Sequence, residues 1–126
     1  MKEKHIKVLK VAPMERPSLC TLENELSSLQ KAVSIDADYV GLIEIIDLDE
    51  EACLLCNEEG KLIGLAPNRC LENDVICGVF YVTGQDRVGN LMSLTDEQIR
   101  YYSERFSEIE YFMQGADGEI MVIRFR

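Results

Sequence analysis

Apolar and polar residues alternate through "HIKVLKVA" (5–12), which predicts a strand that turns at Pro13. The segment "APMERPS" (12–18) carries two prolines and reads as a loop. In "LENELSSLQKAV" (22–33), Leu22, Leu26, Leu29 and Val33 fall at helical spacing, which predicts a helix with one apolar side. Two strands follow, "YVGLIEIIDL" (39–48) and "EEACLLC" (50–56), joined by a tight acidic turn. "NEEGK" (57–61) then reads as a hairpin turn, with Asn57 bonding its own backbone and Gly60 in the left-handed position. "KLIGLA" (61–66) is its return strand. "PNRCLEND" (67–74) reads as a loop, and "VICGVFYVTG" (75–84) as one long strand, apolar on both faces and so central in its sheet. After the turn "QDRVGN" (85–90) comes a short return, "LMSL" (91–94).

The pattern changes period at "TDEQIRYYSERF" (95–106). Thr95 and Gln98 have the spacing of a capping box, Asp96 and Glu97 suit the positive end of a helix, and Ile99, Tyr102 and Phe106 share a face. The tail "EIEYFMQGADGEIMVIRFR" (108–126) reads as two strands around the turn signal Asp117-Gly118. Its second strand is apolar on both faces. It is expected to complete the main sheet, either within the chain or across a two-fold axis with a second copy, so its removal should cause aggregation. The element order gives an α+β fold, a mostly antiparallel sheet with two packed helices. A ferredoxin-like core with an inserted hairpin has the same order and stays open as the alternative.

A length of 126 residues suits one domain spanning residues 1–126. The net charge of −10 is unevenly spread: nine acids and no Lys or Arg lie between Asp36 and Glu59, while the first ten residues carry four Lys. Such a surface repels phosphate backbones and membranes and attracts basic partners, so direct nucleic-acid binding is not expected. No apolar run reaches the ~20 residues of a membrane span. The charged start "MKEKHIKVLKV" lacks a leader's apolar core. The expected location is therefore the cytoplasm. The odd count of five cysteines fits a reducing compartment.

Three segments in order carry a resemblance: "CNEEGKLIGLAPNR" (56–69), "DVICGVFYVTG" (74–84) and "SLTDEQIRYYSERF" (93–106). Over about residues 5–106 the chain resembles a small bacterial family known as domain-of-unknown-function family 3846. The layout starting at "IKVLKVAP", with a helix leading into "YVGLIEII", fits it too. The resemblance implies an origin in bacteria, phages or other mobile elements, and no established activity. Residues 107–126 depart from the family pattern and read as a C-terminal hairpin extension.

The candidate chemistry is sparse. Cys53 and Cys56 sit three apart in an apolar strand, where they point to opposite faces instead of converging on a metal. With Cys70 and Cys77 they read as reduced, buried thiols, and no metal or cofactor is expected. His5, the only histidine, lies among lysines and reads as solvated. "GKLIGLAPN" has neither the spacing nor the helix of a phosphate loop. The turn carboxylates Asp47, Asp49, Glu50, Glu51, Glu58 and Glu59 lack the glycine and spacing of a calcium loop. Asn57, Asn68 and Arg69 remain as the candidate binding cluster, the arginine offering a planar fork for carboxylate or phosphate.

Together these features point away from an enzyme and toward a protein-binding accessory factor with a basic partner. Two alternatives stay open. A nucleic-acid mimic would need the acids on one face at phosphate-like spacing, and a small-molecule-binding domain would need Asn57, Asn68 and Arg69 to converge in a pocket.

Overall fold

A computed structural model describes residues 3–126. Its centre is an antiparallel sheet in the order β2-β1-β7-β4-β3, where β1 is His5–Val11, β2 Ser18–Glu23, β3 Ile43–Asp49, β4 Ala52–Asn57 and β7 Phe80–Gln85. A two-residue strand, β8 (Leu91–Met92), pairs with the end of β7. Two helices cover opposite faces. Leu29, Ala32 and Val33, in and just after α1 (Leu26–Ala32), pack on Ile6, Val8, Cys53, Leu55 and Tyr81. Tyr102 and Phe106, from α2 (Asp96–Arg105) and its C-cap, pack on Leu9, Val11, Leu54, Phe80 and Val82. Consecutive residues Val8 and Leu9 thus enter different cores, as they must when a strand is covered on both sides. Each large apolar side chain buried this way contributes about 1.5–3 kcal/mol.

The α+β class holds, and α2 begins as its sequence predicts. Thr95 accepts from the Gln98 amide at 3.1 Å and Gln98 Oε1 accepts from the Thr95 amide at 2.9 Å, so both halves of the capping box are made. The ferredoxin-like alternative does not hold. It needs a sheet strand after the second helix, whereas the strands after α2, β9 (Ile109–Gln114) and β10 (Ile120–Phe125), form a sheet of their own.

Other elements differ from the pattern's reading. Residues 18–23 are a strand and α1 is only seven residues long. The full register of β2 against β1, from His5 opposite Glu23 to Lys10 opposite Ser18, outweighs the helical spacing of Leu22 and Leu26. The return strand expected at 61–66 does not form; residues 58–64 coil through helical turns, closed by bonds such as Ile63 N–H to Glu59 O at 3.0 Å. Gly60 is not left-handed, and it is Gly64 that takes φ +77°. Gly60 is required for another reason: a Cβ there would lie 2.6 Å from the Cys77 carbonyl oxygen. The loop expected at 67–74 is a hairpin, β5 (Pro67–Leu71) with β6 (Asp74–Cys77). The long strand expected at 75–84 breaks at Gly78, φ +87°, and only its second part, β7, is central.

The tail does form a hairpin, turning at Gly118 with φ +81°. It does not complete the main sheet or lie beside β1; β9 lies against β5 instead. Among the described residues no helix is long and apolar enough to cross a membrane.

Candidate functional site

Asn68 and Arg69 are neighbours on β5 and wholly buried, with 0% of either exposed. Asn68 Nδ2 donates to the carbonyls of Val11 at 2.8 Å and Gly78 at 2.9 Å. Arg69 donates to Asn68 Oδ1 at 2.9 Å, to Glu15 O at 2.7 Å, and from Nε and Nη2 to Phe106 O at 3.3 and 3.2 Å. Phe106 is the C-cap of α2, so the cation sits where the helix leaves its carbonyls unpaired and its dipole is negative. Burial pulls the guanidinium pKa down, and the Glu110 carboxylate opposes that shift. The fork therefore stitches β5 to the 12–15 turn and the end of α2, while Asn68 ties it to the end of β1, and the donors of both are taken by the chain itself.

Asn57 lies elsewhere, at the end of β4. Its Nδ2 donates to Ser34 Oγ at 3.3 Å and its Oδ1 accepts the Glu59 amide at 2.9 Å, which bends the chain into the 58–64 turns. The expected local bond of Asn57 is present, then, but it serves a helical turn. The structure joins Asn68 to Arg69 and leaves Asn57 in a separate, buried polar cluster.

The cysteines behave as small apolar residues. Cys53 faces the α1 core and Cys56 the α2 core, as their spacing requires. Cys56 is pushed up to about 12, first by burial and then by the Glu44 carboxylate beside it. Burial also raises Cys53. Cys20, Cys70 and Cys77 are only half-buried, and all five thiols are free.

The acids do not form a single row. Glu44 pairs across from Cys56 and Asp47 from Cys53, which places them on opposite faces of β3. Glu51 precedes β4 and Glu59 follows it, at opposite ends. That geometry removes the support for phosphate mimicry.

Carboxylates do converge at one place that the chain pattern did not reveal. The β3–β4 turn, pinned by Glu51 N–H to Asp49 Oδ1 at 2.7 Å, faces the first turns of α2, and Gln98 Nε2 reaches Glu51 O at 3.0 Å to hold the two together. Between them lies an open groove of about 650 Å³ lined by Asp49, Glu50, Glu51, Glu97, Tyr101 and Tyr102. Tyr101 is 61% exposed and meets Tyr102 edge-on with ring centroids 4.9 Å apart. The Tyr102 hydroxyl donates to Asp49 Oδ2, which holds the Asp49 carboxyl below the usual range against a smaller opposing effect of burial. The groove thus offers fixed negative charge around an accessible aromatic face. Sequence gave half the signal, the acids at 49–51; Glu97 and Tyr101 were absorbed into the description of a helix.

No curated protein and no solved structure matches the chain. Residues 6–107 match the sequence profile of a family described as a domain of unknown function, DUF3846. The match covers most of the 126 residues, including the sheet, both helices and the groove between β3 and α2. The chain is therefore a member of the DUF3846 family.

Proposed function

We propose that this protein is a non-enzymatic accessory factor that binds another protein, and that the partner presents a Lys- or Arg-rich segment to the groove between the β3–β4 turn and α2. The observation that carries this reading is the convergence of Asp49, Glu50, Glu51 and Glu97 around the exposed ring of Tyr101. A guanidinium on that ring gains cation–π attraction while its edges meet carboxylates, and it suits a surface of net charge −10. A cytoplasmic location, and the mobile-element origin implied by the family resemblance, belong to the same proposal. The buried polar groups of Asn57, Asn68 and Arg69 are bonded within the chain, away from the groove.

The test is fluorescence anisotropy with a labelled arginine-rich decapeptide at about 0.15 M salt, near physiological screening. Binding should weaken by about threefold or more for Tyr101→Ala, and further for Glu50→Gln combined with Glu51→Gln and Glu97→Gln. If Tyr101→Ala and the triple variant bind as the parent does, attraction is merely to net charge and the groove is not the site.

A further inference from the structure

The outer edge of β10 is built to pair with another strand. In the tail hairpin the Gly115 amide donates to Glu119 O at 2.7 Å, which fixes the phase of the ladder. Residues 119, 121, 123 and 125 therefore turn their backbone groups toward β9, and Ile120, Val122 and Arg124 turn theirs away. Among the described residues no strand meets that edge. It carries no proline or bulge, and Ile120, Met121, Ile123 and Phe125 along it are all exposed. Such an edge lacks the backbone devices that prevent pairing, and its charges lie toward its two ends.

Charge along the strand selects the occupant. The turn end is acidic, with Asp117 and Glu119, and the far end is basic, with Arg124 and Arg126. Arg124 approaches Glu110 at 3.8 Å and Arg126 approaches Glu104 at 3.2 Å, yet their side chains stay 50% and 63% exposed. An antiparallel second copy sets acidic end beside basic end twice, whereas a parallel copy opposes like charges. We propose that β10 pairs antiparallel with β10 of a second copy about a two-fold axis at Val122. Val122 then faces its counterpart and Ile120 faces Arg124, each pair exchanging both backbone bonds. The contact is isologous, so it closes at two copies and leaves no edge to propagate. A single strand edge buries less than the ~1,200 Å² of a standard interface, so the dimer is weak.

Sedimentation velocity on the full chain, from low micromolar to several hundred micromolar, should show the 14.3 kDa species giving way to one of twice the mass. Val122→Pro removes no bond within the chain, because that amide points outward, and should hold the protein monomeric with its melting temperature retained. Val122→Cys should give an intermolecular disulfide under mild oxidation beyond any formed by the parent. A parent that stays monomeric throughout overturns the proposal. So does a dimer that survives Val122→Pro, or one that Val122→Cys fails to cross-link; if Val122→Pro does not fold, the cross-link decides.

Discussion

β4 and β10 are both six-residue strands with apolar residues on both faces, and their fates are opposite. Every residue of β4 is buried, and none of β10 is. β4 has β3 and β7 along its edges and a helix-covered core on each face. Among the described residues β10 has one neighbouring strand, β9. Of its residues only Val122 is partly buried, while Met121, Ile123 and Phe125 join Tyr111 and Met113 on a face that is exposed. An apolar strand states a demand for cover; whether the demand is met depends on what the rest of the chain places beside it.

The two arginines of the hairpins give the largest expected effect on that comparison. Arg69→Leu leaves the carbonyls of Phe106 and Glu15 without a donor, and should cost about 3–5 kcal/mol in denaturant unfolding. Arg124→Leu, at a half-exposed position, should cost less than about 1 kcal/mol. Equal losses would show that β10 is as embedded as β5. On the strands themselves, Leu54→Ala should cost about 2–5 kcal/mol and Ile123→Ala within about 0.5 kcal/mol.

Removing residues 108–126 blurs the contrast in a useful way. Glu110 is nine-tenths buried, accepts the Cys70 amide at 3.1 Å and supplies the carboxylate that offsets the Arg69 charge. The truncated chain should lose about 1–3 kcal/mol by thermal unfolding. It should nevertheless be more soluble, because the exposed apolar residues of β10 leave with it. That reverses the expectation drawn from an open sheet edge, and precipitation of the shortened chain would restore it.

The smallest effect is at the groove. Asp49 is held low in the folded protein, so its contribution is fully present above its unfolded value of about 3.9 and is lost as pH falls through its lower folded value. Tyr102→Phe should lower stability by less than about 1 kcal/mol at neutral pH, with the difference starting to shrink near pH ~4 and gone only once pH is below the lowered folded value. A difference that persists in acid would assign it to packing.

What the sequence disclosed follows from the reach of each signal. The capping box of α2 lies within four residues and was legible, as were the apolar runs of β4 and β7. β2 was missed because its partner β1 is brought back by the Pro13–Pro17 loop, a tertiary fact. β5 looked like a loop because Pro67, Asn68 and Arg69 are not strand formers; the burial of Asn68 and Arg69 rests on carbonyls of Val11, Gly78 and Phe106 that only the fold assembles. The groove joins a β-turn to a helix distant in sequence, so its acids were seen and its convergence was not.

The two thiols of β4 give this molecule an internal clock. Cys53 lies under the α1 layer, whereas Cys56 lines a cleft closed by the 58–61 turns and β6. The rate at which each is alkylated in the native protein therefore times the opening of one cover independently of the other, with no residue changed.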